Sequence, residues 1–126
     1  MKSSITSFTI FILMMLSILF SIQYLNTICS KLESSNIKIQ KSIESNSWNE
    51  ARKNYENFMV QWEKYSPKVS IFSNHNEIDN INSELWKLMQ HITYRNGEES
   101  LASVNVIKNL LHHILKMEQL NIQNLF

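Results

Sequence analysis

Residues 5–22 read ITSFTIFILMMLSILFSI, an apolar run without a charge in which only Ser and Thr are polar. At about 1.5 Å rise per residue this is roughly 27 Å of helix, close to the thickness of a hydrocarbon core. The hydroxyls cost little there, since a helical Ser or Thr can bond back to its own backbone. Beyond this run the pattern turns from uniform to periodic. Leu25, Ile28, Leu32, Ile39 and Ile43 keep one apolar stripe, which predicts that the helix continues unbroken out of the apolar segment.

Residues 45–47 (Ser-Asn-Ser) interrupt the stripe, and Ser47 with Glu50 has the form of a capping box that starts a second helix. There Trp48, Ala51, Tyr55, Phe58, Trp62 and Tyr65 alternate at steps of three and four, a seam that must be buried against something. Ser66 and Pro67 suit the end of that helix and the cap and first turn of the next. A third helix is therefore predicted over residues 67–94, with Ile71, His75, Ile78, Leu85, Met89 and Ile92 near one face and Ile81 and Leu88 broadening it. Arg95-Asn96-Gly97 reads as its stop, with Gly97 suited to the left-handed conformation. Glu98 and Glu99 favour the first turn of a fourth helix through its dipole. Its stripe is Leu101, Val104, Ile107, Leu111 and Ile114, followed by a tail with Leu120, Ile122, Leu125 and Phe126.

Short connections force successive helices antiparallel. The expected fold is thus all-α: an N-terminal transmembrane helix continuing into an antiparallel three- or four-helix bundle. The division predicted is residues 1–25 as membrane anchor and 26–126 as bundle, with Trp48, Trp62 and Trp86 as the largest packing elements. The apolar tail is expected to pack back on the bundle or to dock on a partner.

Composition narrows the chemistry. One glycine and one proline in 126 residues leave no material for phosphate-cradling loops or strained nucleophile turns. Twelve Lys and Arg against eleven Asp and Glu, scattered among one another, provide no field to hold nucleic acid. Cys29 is the single cysteine, which excludes an intrachain disulfide and a cysteine-based zinc cage. It reads as a small apolar residue just past the membrane, the alternative being an intermolecular disulfide.

Lys2 followed by an apolar run also fits an export signal, but the run is longer than the usual signal core and the residues around Cys29 make a poor cleavage site. Asn26-Thr27-Ile28 before Cys29 is equally unlike a lipidation site. A retained signal anchor is expected, in a single-pass cell-membrane protein. Lys2 on one side and Lys31, Lys38 and Lys41 on the other do not set its orientation by charge. The immediate apolar run after a short tail favours an extracytoplasmic bundle.

One polar constellation stands out. His75 and Asp79, in His75-Asn76-Glu77-Ile78-Asp79, lie four apart and share a helix face. As metal ligands they need a third donor, which His91, His112 or His113 could supply only if the bundle gathered them. The plainer reading is a His75 packed partly into the bundle and bonded to Asp79 or to backbone. His112 and His113, being adjacent, point to different parts of the helix surface and do not chelate as a pair. No nucleophile, base and orienting group can be assigned together, so no enzyme and no cofactor are expected.

The order of features, a span, then Trp48, Trp62, the segment His75-Asn76-Glu77-Ile78-Asp79-Asn80-Ile81 and the ending Leu120-Asn121-Ile122-Gln123-Asn124-Leu125-Phe126, resembles the family named domain of unknown function 4363. That resemblance implies a short anchored protein of low-GC Gram-positive bacteria and raises His75, Glu77, Asp79 and Asn124 as residues to test. The ending departs from the family pattern, with Asn-Leu-Phe where Asn-Ile-Leu or Asn-Ile-Phe is expected. The reading at this level is a non-enzymatic anchored interaction or accessory protein. It meets the bilayer through residues 5–25 and a membrane or envelope protein, or a second copy, through its bundle. His75, Glu77, Asp79, Trp48, Trp62, Asn124 and Phe126 are its candidate structural or interaction residues. The alternative is an extracytoplasmic ligand- or metal-sensing bundle.

Overall fold

A computed structural model of the chain describes the backbone of residues 1–125 and the side chains of residues 1–120. It contains four helices, α1 (Lys2–Glu44), α2 (Trp48–Phe72), α3 (His75–Thr93) and α4 (Gly97–Leu125), and no strand among the described residues. Each helix packs on its chain neighbours and α4 closes back on α1, which makes an antiparallel four-helix bundle, with α2 and α3 the least closely packed pair.

The 43-residue α1 is one helix in two environments. Burial begins at Leu25 and follows Ile28, Cys29, Leu32, Ser35, Asn36, Ile39, Ser42 and Ile43, a three-four alternation that keeps one seam inward. Before Leu25 most of its large side chains are exposed, Ile5, Phe8, Phe11, Leu16 and Phe20 among them, while Tyr24 is half-buried against the core. The other seams match: Ala51, Tyr55, Phe58, Trp62 and Val69 on α2, Ile81, Leu85, Leu88 and Ile92 on α3, and Val104, Ile107, Leu111 and Ile114 on α4. Trp62 and Phe58 are the largest fully buried side chains.

Helix α2 does not stop at Ser66; it runs through Pro67 to Phe72, and the third helix begins only at His75. The seam explains this, because Tyr65, Val69 and Phe72 extend the three-four spacing past the proline and pack on the core. The hydrogen bond that Pro67 cannot donate would have gone to the carbonyl of Glu63, on an exposed stretch where water can take its place. The actual break is at Ser73 and Asn74, where Asn74 Oδ1 accepts from the Glu77 N–H at 3.0 Å and caps α3. The predicted third stripe shifts accordingly. Ile71 belongs to α2 and is 77% exposed, His75 is exposed, and Met89 lies at the edge of the packed face.

The two turns at the other end are alike. After α1, Asn46 N–H donates to Ile43 O and Ser47 N–H to Ser42 O; after α3, Arg95 N–H donates to Ile92 O and Asn96 N–H to His91 O. Both are Schellman closures, and the left-handed residues are Asn46 (φ 57°) and Arg95 (φ 54°). The expectation that Gly97 takes this conformation is therefore corrected: the closing position falls two residues earlier, and Gly97 starts α4. Asn96 caps α4 by accepting from Glu99 N–H at 3.1 Å. Ser47 sits at the cap of α2, but its hydroxyl meets Ser45 Oγ at 3.1 Å rather than a backbone N–H, so the predicted capping box is not closed from its side.

Candidate interaction surface

Each of the four interfaces in the bundle carries a polar pin. Between α1 and α2, Asn54 Nδ2 donates to Ser42 Oγ at 2.7 Å. Between α1 and α4, the buried Asn36 donates through Nδ2 to Val104 O at 2.9 Å. Between α2 and α3, the Tyr55 hydroxyl donates to Leu85 O at 3.0 Å and Trp62 Nε1–H to Asn82 Oδ1 at 2.7 Å. Between α3 and α4, Glu77 Oε1 meets His113 Nδ1 at 2.7 Å, and His112 Nε2 reaches the other way to Glu33 Oε1 on α1 at 3.0 Å. The adjacent histidines thus tie α4 to both of its neighbours.

The bundle interior is poor in reactive groups. Burial pushes the Cys29 thiol up to about 11, helped by the nearby Glu33 carboxylate, so the thiolate that would be needed for disulfide chemistry is disfavoured. Burial likewise raises the Tyr55 hydroxyl and the Glu118 carboxyl. Asn36 Oδ1, Gln61 Oε1 and Ser100 Oγ are buried with no partner among the described residues. Sequence reasoning passed over Asn36, although its signal was there: a polar residue at a seam position between Leu32 and Ile39.

The loosest seam, between α2 and α3, opens on the surface as a cavity of about 190 Å³ lined by Arg52, Tyr55, Glu56, Met89, Ile92 and Thr93. Trp86 lies one helical turn from Met89 on the same flank of α3 and is 63% exposed. This corrects the expectation that Trp86 packs the core. Its position falls one residue past the Leu85 seam site, so the three-four register of α3 turns it outward. Exposed tryptophan and methionine are among the residue types enriched at protein interfaces.

The remaining candidates are dispersed. His75 and Asp79 are exposed on the first turns of α3, and Glu77 between them turns inward to His113. His91 is half-buried at the far end of α3. Among the described residues no three His, Cys, Asp or Glu side chains are grouped to hold a metal ion. Trp48 is half-buried at the turn end of the bundle against Gly97, and Trp62 is fully enclosed. The side chain of Asn124, and Phe126 altogether, lie outside the described residues.

Compared with known proteins, residues 19–125 match the family described as domain of unknown function (DUF4363), and the chain belongs to that family. No curated protein and no solved structure matches it. The match takes in the whole bundle together with the last turns of the apolar segment.

Proposed function

We propose that this DUF4363 member is a non-enzymatic, membrane-anchored interaction protein, whose extracytoplasmic bundle binds a membrane or envelope protein or a second copy of itself. The observation that carries the reading is α1: a single helix supplies one of the four walls of the bundle core and also an apolar stretch that none of the described bundle residues covers. Ten large apolar side chains there, from Ile5 to Phe20, are more than 40% exposed. At ~1.5–3 kcal/mol for each such side chain moved wholly out of water, and with these ten about three-fifths exposed on average, lipid offers on the order of 10–20 kcal/mol that the bundle does not. A buried core helix would not have this exposure. A cleaved signal is also disfavoured, because cleavage near Cys29 would strip Leu25, Ile28 and Cys29 from the core.

Trp86 and the α2–α3 groove are the surface offered to the partner. The test is affinity capture and photo-crosslinking from gently solubilised membranes, with a crosslinker at position 89 beside Trp86 and a control at the exposed Val60. A reproducible adduct at 89, lost when Trp86→Ala is added, supports the reading; a strictly monomeric protein with no adduct refutes it. Protease accessibility in intact cells decides which side the bundle faces. The ligand- or metal-sensing alternative has less support, since the surface cavities, of about 190, 280, 290 and 310 Å³, lie below or at the lower end of the ~300–1,000 Å³ typical of ligand pockets. Absence of any thermal shift with zinc or iron would dispose of its metal form.

A further inference from the structure

The height of the bundle relative to the apolar segment is fixed, because both are built on the same unbroken helix. Contacts between α1 and α2 descend in step: Asn54 meets Ser42, and eleven residues further along α2 the Tyr65 ring lies 5.8 Å from Lys31 Nζ, eleven residues back along α1. Lower still, Lys68 Nζ stands 5.9 Å from the Tyr24 ring. Carried one turn further, this register sets Phe72 and the α2–α3 turn level with residues 20–24, the upper end of the uncharged run. Helix α4 reaches the same height independently. His112 is level with Glu33, and the thirteen residues from there to Leu125 are matched on α1 by the thirteen from Glu33 back to Phe20.

Apolar side chains are exposed at this end of the bundle, where nothing among the described residues covers them. Ile71 is 77% exposed and Phe72 half-buried beside the α2–α3 turn, Met117 and Leu120 are 41% and 43% exposed on α4, and Phe20 is 72% exposed on α1. Lys68 and Lys116 lie beside them. Apolar tips flanked by lysines and an aromatic at one common height are the composition of a membrane-interface layer, where lysine stems lie along apolar surface and their ammonium groups reach the phosphates.

We infer that the α2–α3 turn and the lower part of α4 are seated in the headgroup layer of the bilayer that α1 crosses, through Ile71, Phe72, Met117 and Leu120, so that the bundle stands on the membrane without an intervening linker. The occupant of this apolar end is lipid. A second copy of the chain is the competing occupant. The inference rests on the anchoring reading above and sharpens it, because a spanning α1 with a bundle this close leaves the turn no room in bulk water.

The test uses full-length protein reconstituted into vesicles of phosphatidylcholine with phosphatidylglycerol. Single nitroxide labels are placed at positions 12, 71, 120, 86 and 94 in a Cys29→Ala background, and collision with oxygen is compared with collision with a water-soluble nickel complex. Position 12 reports anchoring. Labels at 71 and 120 are expected to show an oxygen-to-nickel ratio several-fold above those at 86 and 94, and no spin–spin broadening at 71. A lipid-protected position 12 with aqueous ratios at 71 and 120 overturns the inference and leaves anchoring intact. Broadening at 71 also overturns it, in favour of a second copy. An aqueous position 12 removes the anchoring reading and this inference with it. Ile71→Ser in the same vesicles should lower the ratio at 120, which a bundle held clear of the lipid would not do.

Discussion

Replacing Asn36 with leucine isolates the energetic cost of the polar position in the α1 seam. Asn36 is 2% exposed; its Nδ2 donates to Val104 O, while its Oδ1 has no partner among the described residues. The bond contributes about 1 kcal/mol net, and an unmet buried acceptor costs ~1–3 kcal/mol. Leucine has nearly the same branched shape, removes the orphan acceptor, and continues the Leu32–Ile39 seam with apolar surface. The Val104 carbonyl retains its place in the α4 ladder. The expected result for Asn36→Leu is stabilisation by about 1–3 kcal/mol, or a rise of roughly 5–15 °C in Tm for a domain of this size. The asparagine is then a device that fixes the register of α1 on α4 at the expense of stability. The assay is thermal unfolding of the full chain in mild detergent, followed by near-UV circular dichroism and by fluorescence of the buried Trp62. A loss of about 1 kcal/mol or more would refute the reasoning, because it would require Oδ1 to be satisfied by an internal water or the Val104 bond to outweigh its desolvation.

Trp62→Ala should cost ~3–5 kcal/mol in the same melt, whereas Trp86→Ala should stay within about 0.5 kcal/mol of wild type and remove only partner crosslinking. Gly97→Ala should stabilise by up to ~1 kcal/mol, since the residue starts a helix without positive φ and an added Cβ would meet only Trp48 at 4.0 Å, an ordinary contact. A double-mutant cycle of Glu77→Gln with His113→Gln should give a coupling of at most about 1 kcal/mol, larger than that of Glu33 with His112, because the Glu77 side chain is 12% exposed against 32% for Glu33. Cys29 ionises at 9.0 in the unfolded chain but near 11 in the fold. Its contribution is therefore complete below pH 9 and lost as pH rises through 11, at most about 2–3 kcal/mol over that window. In urea titrations between pH 8 and 11, Cys29→Ala should flatten the decline; an unchanged slope would place the thiol in water.

The seams of α1, α2 and α4 could be read directly from the chain, because three-four spacing of large apolar residues is a local signal and burial follows from it. Leu25 to Ile43, Trp48 to Tyr65 and Val104 to Ile114 all pack where their spacing puts them. The uncharged run over residues 5–22 was equally plain, since composition alone sets its preference between water and lipid. Tertiary structure decided what local signals left balanced. Ser66-Pro67 carries every mark of a helix start, yet Val69 and Phe72 extend the α2 seam and packing outweighs one missing hydrogen bond. Gly97 looked like the left-handed closer, but the length of α3 puts that duty on Arg95. The pairings of Glu77 with His113, Glu33 with His112 and Asn36 with Val104 join residues far apart in the chain, as does the level at which the α2–α3 turn meets α1. No periodicity within one helix encodes such partners, because they depend on which helices become neighbours and in what register.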